Sequence, residues 1–492
     1  MKQTYKNPII PGFNPDPSIC RVGTDYYLVT STFEYFPGLP IYHSENLVDW
    51  QLVSHGINRP SQMQLSAQVP NAFGLYAPTI RYINERFYIT CTNVPYEGKN
   101  SGNFYIWSDG IEGPWSDPIW LDLPGIDPSL FIDEDGKVYY TGTDQTIYLT
   151  EIDLTTGKTG PRVDIWSGTG AADPEGPHLY KKDGYYYLLI SEGGTSYGHM
   201  LTMARSKTIK GPYAPCPMNP LLTNRSTSLP LQAVGHADLF QDHNKRFWAV
   251  CLAVRPIGYP LSHLLGRETC LIPVEWEDDW PKFGENKQLA LTYDAFLPGA
   301  KKVIEQKATT EANNWVSLYT WDETLLEENK NDIQLTPNAI DLSDGKAMAF
   351  AGLRQEQLAF HFEVTLQSFL EEGSTGVTAF LNRKHHYELF IRKNEQLTLV
   401  FRRQIGSLWK IEKEIPLDTD ELTLMIDGTA SNYHFSYQVN DETPILVGEG
   451  ETKYLTTETG GVFTGIFLGV YGVNLREDQK KVIVKHITYQ NH

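Results

Sequence analysis

Positive charge is scarce in this chain: 41 Lys and Arg stand against 60 Asp and Glu, a formal charge of -19 over 492 residues. A surface of that composition cannot neutralise a phosphate backbone, which excludes nucleic acid as a partner and disfavours anionic membranes and acidic substrates. Cysteine is nearly as sparse. The five present (Cys20, Cys91, Cys216, Cys251 and Cys270) are odd in number, widely spaced and without a C-x-x-C pair, so reduced, buried thiols are expected rather than a disulfide framework. No run of 18 apolar residues occurs, and the N-terminal MKQTYKNPIIPG lacks the apolar core of a secretory signal. A cytoplasmic protein with no membrane partner is the expectation. A Gly-rich phosphate loop and a clustered Cys/His metal set are missing too, so no cofactor is expected to be required. Long helical periodicity is absent throughout, which excludes a TIM barrel or a doubly wound sheet.

What the chain has in quantity is aromatic residues: 28 Tyr, 21 Phe and 11 Trp. Such side chains fill β-rich cores and also stack on sugar faces. A length of 492 residues exceeds one ordinary core and implies two domains. One phrase recurs five times in the first 300 residues: a small or polar residue, usually Pro, a β-rich strand, a polar turn and an aromatic strand. The copies are DPSICRVGTDYYLVTST from Asp16, APTIRYINERFYITCTN from Ala77, DPSLFIDEDGKVYYTGT from Asp127, GPHLYKKDGYYYLLIS from Gly176 and HADLFQDHNKRFWAVCLA from His236. Their starts lie 61, 50, 49 and 60 residues apart, the length of a four-stranded propeller blade. A second phrase, SDGIEGPW from Ser108 and SKTIKGPY from Ser206, with an echo SENLVDW from Ser44, repeats in the same order.

In a propeller the first strand of every blade lines the central channel, so equivalent positions face one axial site. Asp16, Ala77, Asp127, Gly176 with Glu175 before it, and His236 would therefore ring a single pocket. An isolated Asp-Pro is a common turn dipeptide. Here it heads two equivalent blades, with Glu in a third. Two carboxyl groups across a glycosidic bond can hydrolyse it, one protonating the leaving oxygen and one activating water or attacking carbon. A third would raise the acid's pKa by repulsion.

The phrases NPIIPGFNPDPSI, TSTFEYFPGLPIYHS, GIDPSLF, EGPHLY, GHADLF and GRETCL resemble, in order and along nearly the whole chain, those of glycoside hydrolase family 43, in its β-xylosidase and α-L-arabinofuranosidase branch. The resemblance implies an inverting, exo-acting hydrolase on a five-bladed propeller. It makes Asp16 the general base, Glu175 the general acid and Asp127 the modulator of the acid's pKa. Arg267 in GRET falls on an arginine that binds sugar hydroxyls and contacts the modulator, Phe33 on an aromatic wall of the pocket, and His236 on an axial histidine that is a candidate ligand of calcium. Tyr76 stands where the xylosidases carry Trp, which leaves xylosidase and arabinofuranosidase activity both open.

The blade pattern stops before a polar stretch at 301–312, so the expected division is a propeller over 1–300, a linker over 301–312 and a second domain over 313–492. Alternating segments such as LAFHFEVTL from Leu358, QLTLVFRR from Gln396 and VIVKHITYQ from Val482 predict an antiparallel β-sandwich. It resembles the concanavalin-like domain of the same branch, in which a loop carries a phenylalanine over the pocket; Phe463 in FTGIFLG matches it. The expected partner is a xylo- or arabino-oligosaccharide. A homo-oligomer is left open, and the alternatives are a non-catalytic carbohydrate-binding protein and an endo-acting arabinanase.

Overall fold

Each copy of the repeated phrase folds as an antiparallel hairpin. The first halves are Ser18–Val22, Thr79–Ile83, Ile126–Ile132, Glu175–Lys182 and Gln232–Gln241, each paired with the aromatic strand that follows it. The turns have the chemistry that tight hairpins demand. At Asp183 and Gly184, for example, both residues take positive φ (49° and 73°), which suits the right-handed twist of the flanking strands. The computed structural model describes residues 1–65, 71–94, 100–300, 314–329, 332–393, 395–440, 442–476 and 478–492. Among these, two further strands complete each hairpin into a four-stranded blade, and blade 2 gains a short extra strand, Gly74–Leu75. Each inner strand packs on the next, and the fifth on the first, so the five blades close a ring.

Side chains close that ring between blades 5 and 1. Tyr5, Ile10, Tyr26, Trp248 and Leu271 form one buried cluster there, and Gln3–Lys6 pairs with Thr292–Ala295 to hold the two ends of the propeller together. Trp248 is fully buried, and its indole N–H donates to Asp242 at 3.0 Å. Truncating such a residue costs about 3–5 kcal/mol.

The remaining chain forms two facing antiparallel sheets. In one, Leu326–Asn329, Asp332–Leu335, Val482–Asn491, Phe360–Gln367, Glu421–Gly428, Asn432–Gln438 and Ile445–Glu451 lie side by side. In the other the order is Ala349–Arg354, Phe467–Asn474, Gly373–Asn382, His385–Lys393, Leu397–Ile405 and Leu408–Leu417. Period-2 alternation explains the layering: Phe360, Phe362, Val364 and Leu366 are buried, while His361, Glu363 and Gln367 are partly exposed. The linker expected at 301–312 lies outside the described residues.

The sandwich docks on blades 1 and 2. Its core is continuous with theirs: Tyr35 stacks on Phe467 with ring centroids 3.8 Å apart, and Tyr35–Phe36 pairs with Ser317–Leu318. The loop carrying Phe463 is fixed at both sides by backbone bonds to the propeller, from Thr457 N–H to His263 O and from Ile466 N–H to Leu264 O, each 3.0 Å.

Candidate active site

The inner strands of the blades are distorted where they open into the channel. Asp16, Asp127, Gly176 and His236 take positive φ of 54°, 57°, 61° and 46°, and the strand register slips beside the last three. For a residue other than glycine such a conformation costs about 1–3 kcal/mol and persists only where the surroundings enforce it. These conformations, with bulges in three of the blades, turn the heads of four blades inward. This alignment makes Gly176, not Glu175, the equivalent of the two aspartates. Glu175 lies one residue earlier and leaves the strand on the other face of the pleat, so it approaches the shared space from a different side. Glycine at 176 also suits the crowding: a Cβ there would lie 3.2 Å from the His236 ring.

Each of the three carboxyl groups has a different environment. Asp16 is 3% exposed, and its two oxygens accept from the Ser31 hydroxyl at 2.6 Å and from Arg267. Asp127, 7% exposed, accepts the Gly176 N–H at 2.9 Å. Burial raises its pKa and Asp16 adds to this, against opposing pulls from His236, the Gly176 amide and Arg267. Glu175 is the most open, its side chain 17% exposed. Burial pushes it well above the usual carboxylate range, and the charges of Asp127 and Asp16 push it further, with Arg267 opposing. The site thus combines one carboxyl held by a cation and a hydroxyl with another that resists losing its proton.

The aromatic residues expected around the site form a single wall drawn from three parts of the fold. The Phe33 ring of blade 1 lies 4.9 Å from Tyr76 of blade 2, and Phe463 of the sandwich lies 6.0 Å from Phe33 and 6.4 Å from Tyr76. The Arg267 guanidinium sits 5.4 Å from the Phe33 ring and 6.0 Å from that of Phe463. Phe33 is buried, whereas Phe463 is 39% exposed and forms the open rim. All eight residues singled out from the sequence therefore meet at one place.

Two details differ from the sequence-based expectation. Arg267 donates its hydrogen bond to Asp16 rather than to the expected modulator Asp127, which feels its charge through space. The surroundings of His236 do not fit a calcium ion. Its Nδ1 lies 4.0 Å from Asp16, but Asp238, two residues further along the same strand, already accepts from Ser18, Tyr180, the Ile19 N–H and both terminal nitrogens of Arg81. A fixed guanidinium thus supplies the positive charge, and the hard oxygen ligands that calcium needs are taken. Among the described residues no group of three or more His, Cys, Asp or Glu is arranged to hold a metal.

Sequence reasoning missed several neighbours of the site. Ser31 stands at the end of the blade 1 phrase, where nothing marks it as a partner of Asp16, and His199 lies outside the repeated phrase and gives no periodic signal. Phe13 and Phe73 extend the aromatic wall, at 5.9 Å from Phe33 and 6.4 Å from Tyr76. Arg81 was visible in the phrase of blade 2, two residues past the strand's first position, but its reach across the channel to Asp238 in blade 5 is a three-dimensional fact.

Comparison with known proteins agrees with this architecture. Residues 5–281 match the model of glycosyl hydrolases family 43, and residues 308–490 match that of the β-xylosidase C-terminal concanavalin A-like domain. A non-reducing-end α-L-arabinofuranosidase of Bacteroides ovatus is 39% identical, over 96% of this chain and 91% of that protein. A β-xylosidase of Bacillus subtilis is 33% identical, over 94% of this chain and 95% of its own. Among solved structures, a Bacteroides ovatus family 43 protein of a xyloglucan utilisation locus superposes with a TM-score of 0.93 at 36% identity, covering 100% of both chains. A xylan β-1,4-xylosidase of Bacillus halodurans gives 0.89 at 31%, covering 99% of this chain and 100% of that one. With a five-bladed propeller, a concanavalin-like sandwich and a carboxylate cluster at the channel mouth, the chain belongs to glycosyl hydrolase family 43 and is a glycoside hydrolase.

Proposed function

We propose that the enzyme removes terminal xylose or arabinofuranose units from xylan-derived oligosaccharides, with inversion at the anomeric carbon. The observation that carries this reading is the contrast between Glu175, whose pKa burial and two neighbouring carboxylates raise, and Asp16, whose oxygens accept from Arg267 and Ser31. A raised carboxyl is a proton donor near neutral pH; a carboxylate held in place can receive one. In the proposed step Asp16 takes a proton from water as the water oxygen bonds to the anomeric carbon. The glycosidic C–O bond breaks on the opposite side, and Glu175 gives its proton to the departing oxygen. Asp127 has no direct role in bond making; its charge keeps the Glu175 proton in place. The pentose is supported by relatives named arabinofuranosidase and xylosidase.

Exo action is supported by the rim. Phe463 projects from a loop anchored to the propeller and narrows the cleft beside Phe33 and Tyr76, leaving room for a chain end. A binding protein for neutral sugars has no use for three buried carboxyl groups, because desolvating them costs free energy that hydroxyl recognition does not require. The test is hydrolysis of nitrophenyl xyloside, nitrophenyl arabinofuranoside and xylo-oligosaccharides, with the product anomer followed by NMR. Inverted configuration is expected. Glu175→Ala should lose far more activity on oligosaccharides, whose leaving alcohols need the proton, than on nitrophenyl glycosides. Equal losses on both would overturn the assignment of the acid, and a retained anomer would overturn the direct displacement.

A further inference from the structure

An imidazole to which the reading above gives no task stands beside the acid. His199 immediately precedes Met200–Ser206, the third strand of blade 4, and is 1% exposed. It fits because residue 235 is glycine: a Cβ there would come within 2.3–2.4 Å of the imidazole ring atoms. Its Nδ1 lies 3.3 Å from the carbonyl oxygen of Ala233. A carbonyl only accepts, so the Nδ1 carries the proton. Burial, reinforced by the charges of His236 and Arg267, pushes the His199 pKa down to about 3, so the ring is neutral at working pH. The Nε2 is therefore a bare lone pair. It is buried, has no hydrogen-bond partner, and points at Glu175 with 3.6 Å to Oε1.

A lone pair facing a carboxylate is repelled, whereas one facing a carboxylic acid accepts its O–H. A small rotation of the Glu175 side chain closes the gap to the ~2.9 Å of a hydrogen bond. We propose that His199 is a positioning residue for the general acid, its Nε2 accepting the Glu175 O–H, so that the site favours the protonated carboxyl and fixes where its proton points between turnovers. This rests on the reading of Glu175 as the acid.

Other groups act on the same carboxyl. Asp127 of blade 3 and Asp16 of blade 1 favour its proton, as does Asp173 of its own loop; Arg267 of blade 5 opposes it. His236 of blade 5 lies near both aspartates. These influences are charges and fall off smoothly with distance. His199 is neutral and contributes a directional acceptor, so only its removal should alter the acid's orientation as well as its pKa.

The experiment compares the pH dependence of kcat/KM for the full chain, wild type, His199→Ala and His199→Gln, on a nitrophenyl pentoside and a xylo-oligosaccharide. In the Gln variant the amide oxygen can take the Nε2 position as an acceptor. His199→Ala should move the alkaline limb down by about half a pH unit or more, since the acceptor of the protonated form has gone. It should also lose more activity on the oligosaccharide than on the aryl glycoside. His199→Gln should restore much of both. An unmoved alkaline limb in a folded Ala variant, or equal losses on the two leaving groups, would overturn the proposal. Should that variant not fold, histidine 15N NMR of the wild type decides. The His199 Nε2 should be unprotonated and its resonance should shift across the alkaline limb, a shift that Glu175→Gln abolishes; a protonated Nε2 would overturn the inference. A Glu175→Ala variant insensitive to leaving group would instead refute the underlying reading.

Discussion

Two layers of one channel, separated by two residues along the same strands, treat buried carboxyl groups in opposite ways. At the mouth, Asp127 and Glu175 are raised, because burial is opposed by few donors. Two positions inward from His236, Asp238 is buried still more deeply, yet its pKa is held well below the usual range. The difference is the number of partners: Arg81 at 2.7 and 3.1 Å, Ser18 at 2.7 Å, Tyr180 at 2.8 Å and the Ile19 N–H at 3.1 Å. His178, in the same layer, is pushed down to about 3 by burial and is neutral, so its Nδ1 can accept from Arg81 at 3.0 Å. Burial alone thus does not mark a functional carboxylate. Burial left without enough donors raises a carboxyl's pKa, and within the channel that condition is met by Asp127 and Glu175 in the upper layer and not by Asp238.

The sharpest way to break this comparison is to remove one acid from each layer. Asp16→Ala should lower kcat/KM by about 10²–10⁴-fold on good and poor leaving groups alike, the usual worth of a general base, measured on a variant shown to be folded because Arg267 also loses its partner. Asp238→Asn should act on stability instead. Removing one partner of a buried pair strands the Arg81 guanidinium and costs about 3–5 kcal/mol of unfolding free energy. Asp127→Asn separates the layers by pH: loss of its negative charge should lower the Glu175 pKa and shift the alkaline limb of kcat/KM downward. Asp238→Asn should leave that limb in place. If it moves the limb as Asp127→Asn does, the two layers form one electrostatic unit and the distinction fails.

Much of the upper layer was legible in the sequence, because a repeat forces equivalent residues to one axial level. Asp16, Asp127 and His236 followed from that rule alone. The same rule put Gly176 at the equivalent level with Glu175 one residue before it, but the bulge that sets the side from which Glu175 enters is announced by no spacing. Arg81 stood inside a recognised phrase, but a long side chain crossing the channel leaves no periodic trace. Ser31 closes the blade 1 phrase without any mark that it bonds Asp16, and His199 follows the aromatic strand of its hairpin, where loop geometry rather than pattern sets direction. The sandwich was legible as alternation, whereas its docking on blades 1 and 2 depends on shape, as in the stacking of Tyr35 on Phe467.

The domain interface offers an intermediate case that sharpens the rule. Glu34, next to Phe33, is 4% exposed; its Oε1 accepts the Ala72 N–H at 3.2 Å, and its Oε2 is buried without a hydrogen bond. Burial pushes its pKa up to about 7, with the amide contacts and Arg383 opposing. The folded chain therefore holds this proton to higher pH than the unfolded chain does. The resulting stability is fully present below pH 4.5 and is lost as pH rises through 7, by about 3 kcal/mol at most. Glu34→Gln has no such proton to lose. Measured by denaturant unfolding, the variant should gain on the wild type by up to that amount between pH 4 and pH 8. A constant difference across that range would show that water reaches the carboxyl.

The smallest expected effect concerns the rim, where burial is least. Phe463 is 39% exposed and meets Phe33, Tyr76 and the Arg267 guanidinium at ring distances of 6.0 to 6.4 Å, so truncating it removes little core. Its loop should stay in place, because the anchors lie elsewhere: Glu458 accepts from the His263 N–H at 2.9 Å, from the His263 ring at 2.7 Å and from the Tyr197 hydroxyl at 2.9 Å. Phe463→Ala should therefore leave the melting temperature nearly unchanged and weaken sugar binding by about 1–2 kcal/mol, the worth of one half-buried aromatic contact. The loss should appear in KM, since a ring at the open rim would meet a bound sugar equally before and during reaction. Phe33→Ala is the contrast. That ring is 3% exposed and packs on Phe13 as well as Tyr76, so its loss should lower the melting temperature by opening a cavity between blades 1 and 2. If Phe463→Ala instead lowers kcat with KM unchanged, the loop acts on the transition state, and the rim belongs with the catalytic layer rather than outside it.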